Sequence, residues 1–334
     1  MSATIKLENK HFPVLLKEFI SIISPLYGGT FIDCTFGQGG YSKKILEIKN
    51  NKVIAIDRDS DVYLYAKELE NKYKKRFHFH NIKFSEINKI KLKKNDLKAI
   101  IFDLGYSTNQ IRDLSKGISF KSKGKLNMKM GLNNFSTHEV IANMNENNLN
   151  KIFKFFGDEK YSSRIARKII EIRKKKTIDT ETLTEIIDKI KKFKNYKINN
   201  STKIFQALRI FVNKEISELV DGLINAYSLL PVGGVIVVVT FHSLEDKIVK
   251  FFFKNYSELK NSSRYLPDNE KNITYFKLQN KKPLIASAEE LKLNPSSRSA
   301  KLRFGTKIRN DCNFQEFKQK FKYLLDIENL EFNK

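Results

Sequence analysis

With 334 residues, 41% of them hydrophobic and 30% charged, the chain can bury one large core or two modest ones and is too apolar for disorder. Two cysteines, Cys34 and Cys312, exclude a disulfide framework, and no apolar run approaches the roughly 20 residues of a membrane span, so a cytoplasmic protein is expected. The formal net charge of +25 suits a polyanion, and residues 151–200, with 15 Lys or Arg against 7 Asp or Glu, hold about twice the chain-wide excess, which favours nucleic acid.

Residues 11–26, HFPVLLKEFISIISPL, have helical apolar spacing that stops near Pro25. Strand and helix then alternate. GTFIDCTF reads as a strand, SKKILEIKN as a short helix and NKVIAIDRDS as a second strand. DVYLYAKELENKYKKR is an amphipathic helix, followed by strands FHFHNIKF and LKAIIFDLG. This rhythm predicts an α/β fold with a parallel sheet covered on both faces. Residues 106–203 break it. A turn-rich stretch leads into helical HEVIANMNENNLNKIFKFFG, YSSRIARKIIEIRKKK and TLTEIIDKIKKF, with no convincing buried strand. The expected division is therefore a discontinuous sheet domain, 1–105 and 204–334, split by a helical insertion, 106–203. TKIFQALRIFVNKEISELVDGLINAYSLL reads as one long helix ended by Pro231 and Gly233-Gly234, and VIVVVTF as a fifth strand. The tail adds strand candidates ITYFKLQ and RSAKLRFGTKI, a hairpin that would close the sheet with an antiparallel strand.

The stretch FIDCTFGQGGYS runs a strand into a glycine turn. A dinucleotide fingerprint needs a third glycine where Ser42 stands, and a P-loop needs a Gly-Lys-Ser/Thr that is absent. What remains is a close-approach turn at the carboxyl end of the first strand, where open α/β sheets bind ligands. Asp57, 20 residues after Gly37, ends the second strand and suits two ribose hydroxyls. Phe84 follows the third strand, beside an adenine, and Asp103 ends the fourth. S-adenosylmethionine has no pyrophosphate and needs no third glycine, so it fits better than a nicotinamide cofactor. The bland alternative is a structural turn with ordinary capping acids.

HFPVLLKE, DCTFGQGGYS, AIDRD, DLGYSTNQIRDLSKGISF, KLNMKM, FGDEKYSSRIARKI, TKIFQALRIFVNKEI, GGVIVVVTFHSLEDKIVK and NPSSRSAKLR follow one another over nearly the whole chain. In order and spacing the sequence resembles the bacterial small-subunit ribosomal RNA cytosine-N4 methyltransferases. The resemblance implies a Rossmann-like, class I S-adenosylmethionine-dependent methyltransferase sheet with a helical, RNA-engaging insertion. It implies methylation of one decoding-region cytosine, in free ribosomal RNA or an assembled small subunit. It places cofactor contacts at Gly39, Gly40, Tyr41, Asp57, Phe84, Asp103 and Gln110. The chain departs from the family where Tyr41 replaces a usual His, where DLGYST replaces DLGVSS, and where Thr240 replaces Ser. NMKMG replaces DMRMD, so Asn127 and Gly131 stand where two carboxylates are usual. The alternative from another class is a non-catalytic RNA-binding assembly protein that keeps the fold.

Amino-methyltransferases place a four-residue turn after the fourth strand, here Asp103-Leu104-Gly105-Tyr106. Asp103 is the candidate proton acceptor. Tyr106 either stacks on the base or is a surface aromatic. His242, with Ser243, Glu245 and Asp246, follows the fifth strand, either as a base contact or as a structural histidine. Cys34 lies within a strand as a core residue, against a covalent mechanism. Arg164, Arg167, Lys168, Arg173 and Lys174–Lys176 recur at helical spacing, as a phosphate-binding face or a solvated one. Arg298, with Lys301 and Arg303, is a second candidate RNA contact. No spacing of ligand residues points to a metal.

Overall fold

The alternating apolar runs assemble into one sheet in the computed structural model. It describes residues 13–24, 27–92, 96–106, 116–119, 122, 124–133, 135–191, 199–257 and 274–332. The strands are β1 (Gly29–Asp33), β2 (Asn51–Ile56), β3 (Phe77–His80), β4 (Leu97–Asp103), β5 (Val235–Thr240), β6 (Phe276–Lys277) and β7 (Lys301–Lys307). Their order is β3-β2-β1-β4-β5-β7-β6. The first five are parallel, and β7 runs antiparallel to both β5 and β6. Both expected tail strands form, with β7 antiparallel between β5 and the edge strand β6. Strand order reverses between β1 and β4, so the connections leaving their carboxyl ends diverge and open a crevice there.

Period-two alternation sorts each strand between two apolar layers. Ile32, Ile54, Ile100, Phe102, Ile236 and Val238 face one, and Phe31, Val53, Ala99, Ile101, Val237 and Val239 the other. A parallel sheet needs this double cover. Helices α1 (Leu16–Ile23), α2 (Gly40–Leu46) and α3 (Tyr63–Tyr73) supply the second layer through Phe19, Ile45 and Leu69. None of the described helices is long and apolar enough to cross a membrane.

The described residues of 106–203 contain α4 (Thr137–Asn143), α5 (Glu146–Gly157), α6 (Ser162–Arg173), α7 (Thr180–Ile190) and the start of α8 (Thr202–Asn213), and no strand. At Gly157, α5 approaches α8 so closely that a Cβ would overlap the Lys203 carbonyl, and the Gln206 amide donates to the Phe156 carbonyl at 3.0 Å. The helical layer therefore continues through α8.

One expectation is corrected. The single helix read over residues 202–230 is two, α8 and α9 (Glu215–Leu229), broken at Lys214, whose φ is 52°. The side chain of Asn213, fully buried at the break, accepts from the Met130 N–H and donates to the Met128 and Arg209 carbonyls. Beyond it, Glu328 at the end of α12 (Gln315–Glu328) accepts from the Ile216 and Ser217 N–H groups at 2.6 and 2.9 Å. These side chains satisfy the backbone groups that a break exposes. The remaining helices are α10 (Ser243–Asn255), which packs beneath the sheet beside α9 and α12, and the short α11 (Ala288–Leu293).

Candidate active site at the carboxyl ends of β1, β2, β4 and β5

After β1 the chain turns through Gly37 and Gly39, with φ of 53° and 75°, a conformation costly for residues with a Cβ. A Cβ at Gly39 would lie 2.7 Å from the Phe36 ring, whereas one at Gly37 would meet nothing within 4 Å. The turn is thus pinned below and open above Gly37. The Asp57 carboxylate accepts from the Gly37 N–H at 2.8 Å and from the Asp59 N–H at 2.9 Å, joining the β2 end to the turn. Burial pushes its pKa up to about 6, past the lowering effect of those donors. Ser42, in the third-glycine position, donates its hydroxyl to the buried Asp33 carboxylate at 2.6 Å. Asp33 also stands at about 6, raised by burial. The Tyr41 side chain points away from the turn, packing on Phe19 at 4.4 Å with its hydroxyl donating to the Val14 carbonyl. Only the backbone of Tyr41 faces the turn. Phe84 sits edge-on to Phe102 at 5.3 Å and packs over Gly222, half-buried. Gln110 lies outside the described residues.

The β4 end is tied to the same turn. The Asp103 N–H donates to the Thr35 hydroxyl at 2.7 Å, and the Leu104 N–H to the Val239 carbonyl of β5 at 2.9 Å. The Asp103 carboxyl is pushed well above the usual carboxylate range by burial, then by the charges of Asp33 and Glu245. Its Oδ1 is buried and has no hydrogen-bond partner among the described residues. Gly105 packs on the Phe241 ring, so the turns after β4 and β5 touch.

His242 caps α10. Its Nδ1 accepts from the Glu245 N–H at 3.4 Å, while Glu245 Oε2 accepts from the Phe241 and His242 N–H groups. Nε2 lies 3.0 Å from Glu245 Oε1, and the buried Tyr106 hydroxyl has no hydrogen-bond partner among the described residues. Glu245 is held below the usual range. Burial alone would raise it, and the charges of His242 and Arg209 outweigh that effect.

Sequence reasoning missed Arg209, Glu215, Asp33 and Thr35. Arg209 interrupts the apolar run QALRIF and reads as a solvated helix position. Its guanidinium instead lies 4.4 Å from the Tyr106 ring centroid and grips Glu215 at 2.8 Å. The signal available for Asp33 was a carboxylate at a strand end nine residues before Ser42. Although no sequence spacing suggests a cluster, the fold brings Glu215, His242 and Glu245 together, with ligand atoms within 4.8 Å of one another. The Arg209 guanidinium already supplies a cation to these carboxylates.

Of the expected RNA contacts, Arg164, Arg167 and Lys168 lie on α6. Arg167 is exposed and lies 3.4 Å from Glu146, Lys168 pairs with Glu171 at 2.9 Å, and Arg164 rests near the Tyr161 ring. Arg173 has a structural task, donating to the Ile141 and Met144 carbonyls. Arg298 is exposed, whereas Lys301 and Arg303 are engaged by Asp246 at 3.0 and 2.7 Å, fastening α10 to β7. The departure at Gly131 has a steric reason. Its φ is 53°, and a Cβ would overlap the Arg58 carbonyl. Arg58 in turn donates to the Asn213 carbonyl and Asn133 side chain, linking the β2 end to the helical layer.

The profile of the MraW methylase family matches residues 8–308. A ribosomal RNA small subunit methyltransferase H from Ehrlichia canis (strain Jake) is 43% identical over 303 residues, covering 89% of this chain and 100% of the relative. The protein of that name from Rickettsia massiliae (strain Mtu5) is 42% identical over 298 residues, covering 88% of this chain and 96% of its own. The one from Afipia carboxidovorans is 37% identical over 313 residues, covering 93% of each.

Proposed function

The chain belongs to the MraW methylase family, and from that premise we propose that it methylates the exocyclic N4 amine of one cytosine in the decoding region of small-subunit ribosomal RNA, using S-adenosylmethionine. The observation that carries this reading is a pair of buried polar atoms at the end of β4, Asp103 Oδ1 and Tyr106 Oη, that have no hydrogen-bond partner among the described residues, beside His242 at the end of β5. A ligand bound at these strand ends would complete the bonding of those atoms. The substrate class is supported by the names of the relatives and by the +25 net charge.

The residues that would hold S-adenosylmethionine are the backbones of Gly39, Gly40 and Tyr41 at the open turn, then Asp57, Phe84, Asp103 and Gln110. Bound there, it would supply its sulfonium methyl, the carbon–sulfur bond breaking to leave a neutral thioether. The cytosine amine is a poor nucleophile because its lone pair is delocalised into the ring, so the protein must orient it and remove a proton. Asp103 Oδ1 accepts a hydrogen bond from the amine and then its proton as the carbon–nitrogen bond forms. Burial and the neighbouring acids make that carboxylate a stronger base than a solvated one. Tyr106 stacks on the base, and His242 offers Nε2 to its edge while its other nitrogen stays in the α10 cap. A base reaches such a recess only when unpaired and out of its stack. Arg164, Arg167, Lys168 and Arg298 hold phosphates. Residues 106–203 then act as the RNA-engaging domain, and 1–105 with 204–334 as the methyltransferase domain, in the cytoplasm where ribosomes are assembled.

The test is methyl transfer from labelled S-adenosylmethionine to small subunits and to naked ribosomal RNA from a strain lacking this gene, followed by nucleoside analysis. N4-methylcytidine at one decoding-region position is the expected product. Label on another base or position would overturn the specificity, and cofactor binding without transfer to either substrate would overturn the reaction.

A further inference from the structure

Arg209 joins three segments that reach the cleft from different parts of the chain. It lies on α8, and its side chain is only 11% exposed. One edge of the guanidinium grips Glu215, which begins α9, with Nε 2.8 Å from Oε1 and Nη2 2.8 Å from Oε2. Nη2 also reaches to 3.9 Å from Oε1 of Glu245, in the first turn of α10. The guanidinium carbon lies over the Tyr106 ring, 4.4 Å from its centroid, in the turn after β4. Arg209 and Glu215 are six positions apart, about 240° around a continuous helix, and would face different sides. The break at Lys214 is what allows them to pair.

We infer that Arg209 is the positioning residue of the base pocket, setting the height and tilt of the Tyr106 ring on which the target base lies and fixing Glu215 and Glu245 at the pocket's edge. The inference rests on the reading of the site as one that methylates an RNA base. Its physical content is the shape of the guanidinium, which binds carboxylates with its edge and an aromatic ring with its face at the same time. A lysine ammonium is a point charge and does only one of these well. Cation neutralisation alone would therefore predict a different result from planar support. Among the described residues the buried Tyr106 hydroxyl has no hydrogen-bond partner, and a bound ligand would supply one.

The experiment compares wild type, Arg209→Lys and Arg209→Ala in single-turnover methyl transfer to small subunits, with S-adenosylmethionine and RNA affinities measured separately. The expected result for Arg209→Ala is turnover reduced about a hundred-fold, the scale of a base displaced by an ångström, with RNA affinity within about threefold of wild type because phosphate contacts dominate it. Arg209→Lys is expected to remain at least tenfold below wild type. Added guanidinium ion is expected to restore part of the Arg209→Ala turnover, with ammonium at equal ionic strength restoring none. Full turnover in Arg209→Lys would overturn the planar role, and so would absent guanidinium rescue or a loss of cofactor affinity parallel to the loss of turnover. Wild-type inactivity on both RNA substrates would overturn the proposed function and this inference together. Wild-type activity with unaltered variants would overturn the inference alone.

Discussion

Asp103 is buried within the fields of Asp33 and Glu245, and one of its oxygens has no hydrogen-bond partner among the described residues. Folding tolerates such an arrangement at a cost of a few kcal/mol. Asp103→Asn keeps the shape and removes the anion. Methyl transfer is expected to fall about 10²–10⁴-fold, while the melting temperature holds or rises because a strained charge has gone. Single-turnover assays beside thermal melts would decide, and a variant with half the wild-type rate would remove Asp103 as the proton acceptor. Asp103 was legible in the sequence because it ends an apolar strand and opens a turn. Arg209 was not, because a charged residue within a helical apolar run looks like a position on the solvated side. Gly131 was legible only as a missing carboxylate. The backbone explains it, since no side chain fits against the Arg58 carbonyl in that conformation.

Helix contacts carry the second level of organisation. Gly157→Ala would push α5 away from α8 at the Lys203 carbonyl, and a loss of about 1–3 kcal/mol is expected, seen as a fall of several degrees in melting temperature. An unchanged melting temperature would mean that the two helices separate without penalty. Glu328 holds the start of α9 from the far end of the chain, beyond the stretch matched by the family profile. Burial pushes it up to about 7 from an ordinary 4.5, against the two N–H donors and Lys214. The folded protein therefore binds a proton that the unfolded chain releases above about pH 4.5. The stability this provides is complete below pH 4.5 and is lost as pH rises through about 7. Glu328→Gln should flatten that slope, so that the wild type loses up to about 3 kcal/mol more than the variant between pH 4.5 and pH 8. Urea unfolding at several pH values measures it, and parallel curves would refute it. The helix break that Glu328 caps was invisible in the sequence because α8 and α9 bury their apolar faces in the same layer, and the 3.6-residue period runs straight through Lys214.

Across the whole molecule, charge and topology were the legible features. Strands with apolar residues on both faces, each bounded by turn residues, specify a covered parallel sheet whatever lies between them, and that is why β1 to β5 and the antiparallel β7 emerged in the expected order. The +25 net charge belongs to the same scale, since it acts on a polyanion before any contact forms. Removing two exposed cations, Arg164→Ala with Arg167→Ala, should weaken binding to single-stranded RNA similarly for all sequences. It should also reduce the slope of log affinity against log salt by about 0.7 for each phosphate that is no longer neutralised. A titration series over salt concentration checks this, and an unchanged slope would assign those arginines to solvent. The sheet order also bears on how the protein is made. β4 and β5 are neighbours, yet the entire helical layer separates them in the chain. A growing chain delivers the glycine turn, Asp57 and Asp103 first, Arg209, His242 and Glu245 much later, and β7 last. Until β7 arrives the newest parallel strand is an open edge, a surface that pairs readily with other incomplete chains. An interrupted copy therefore lacks β7 and exposes a strand edge that favours aggregation.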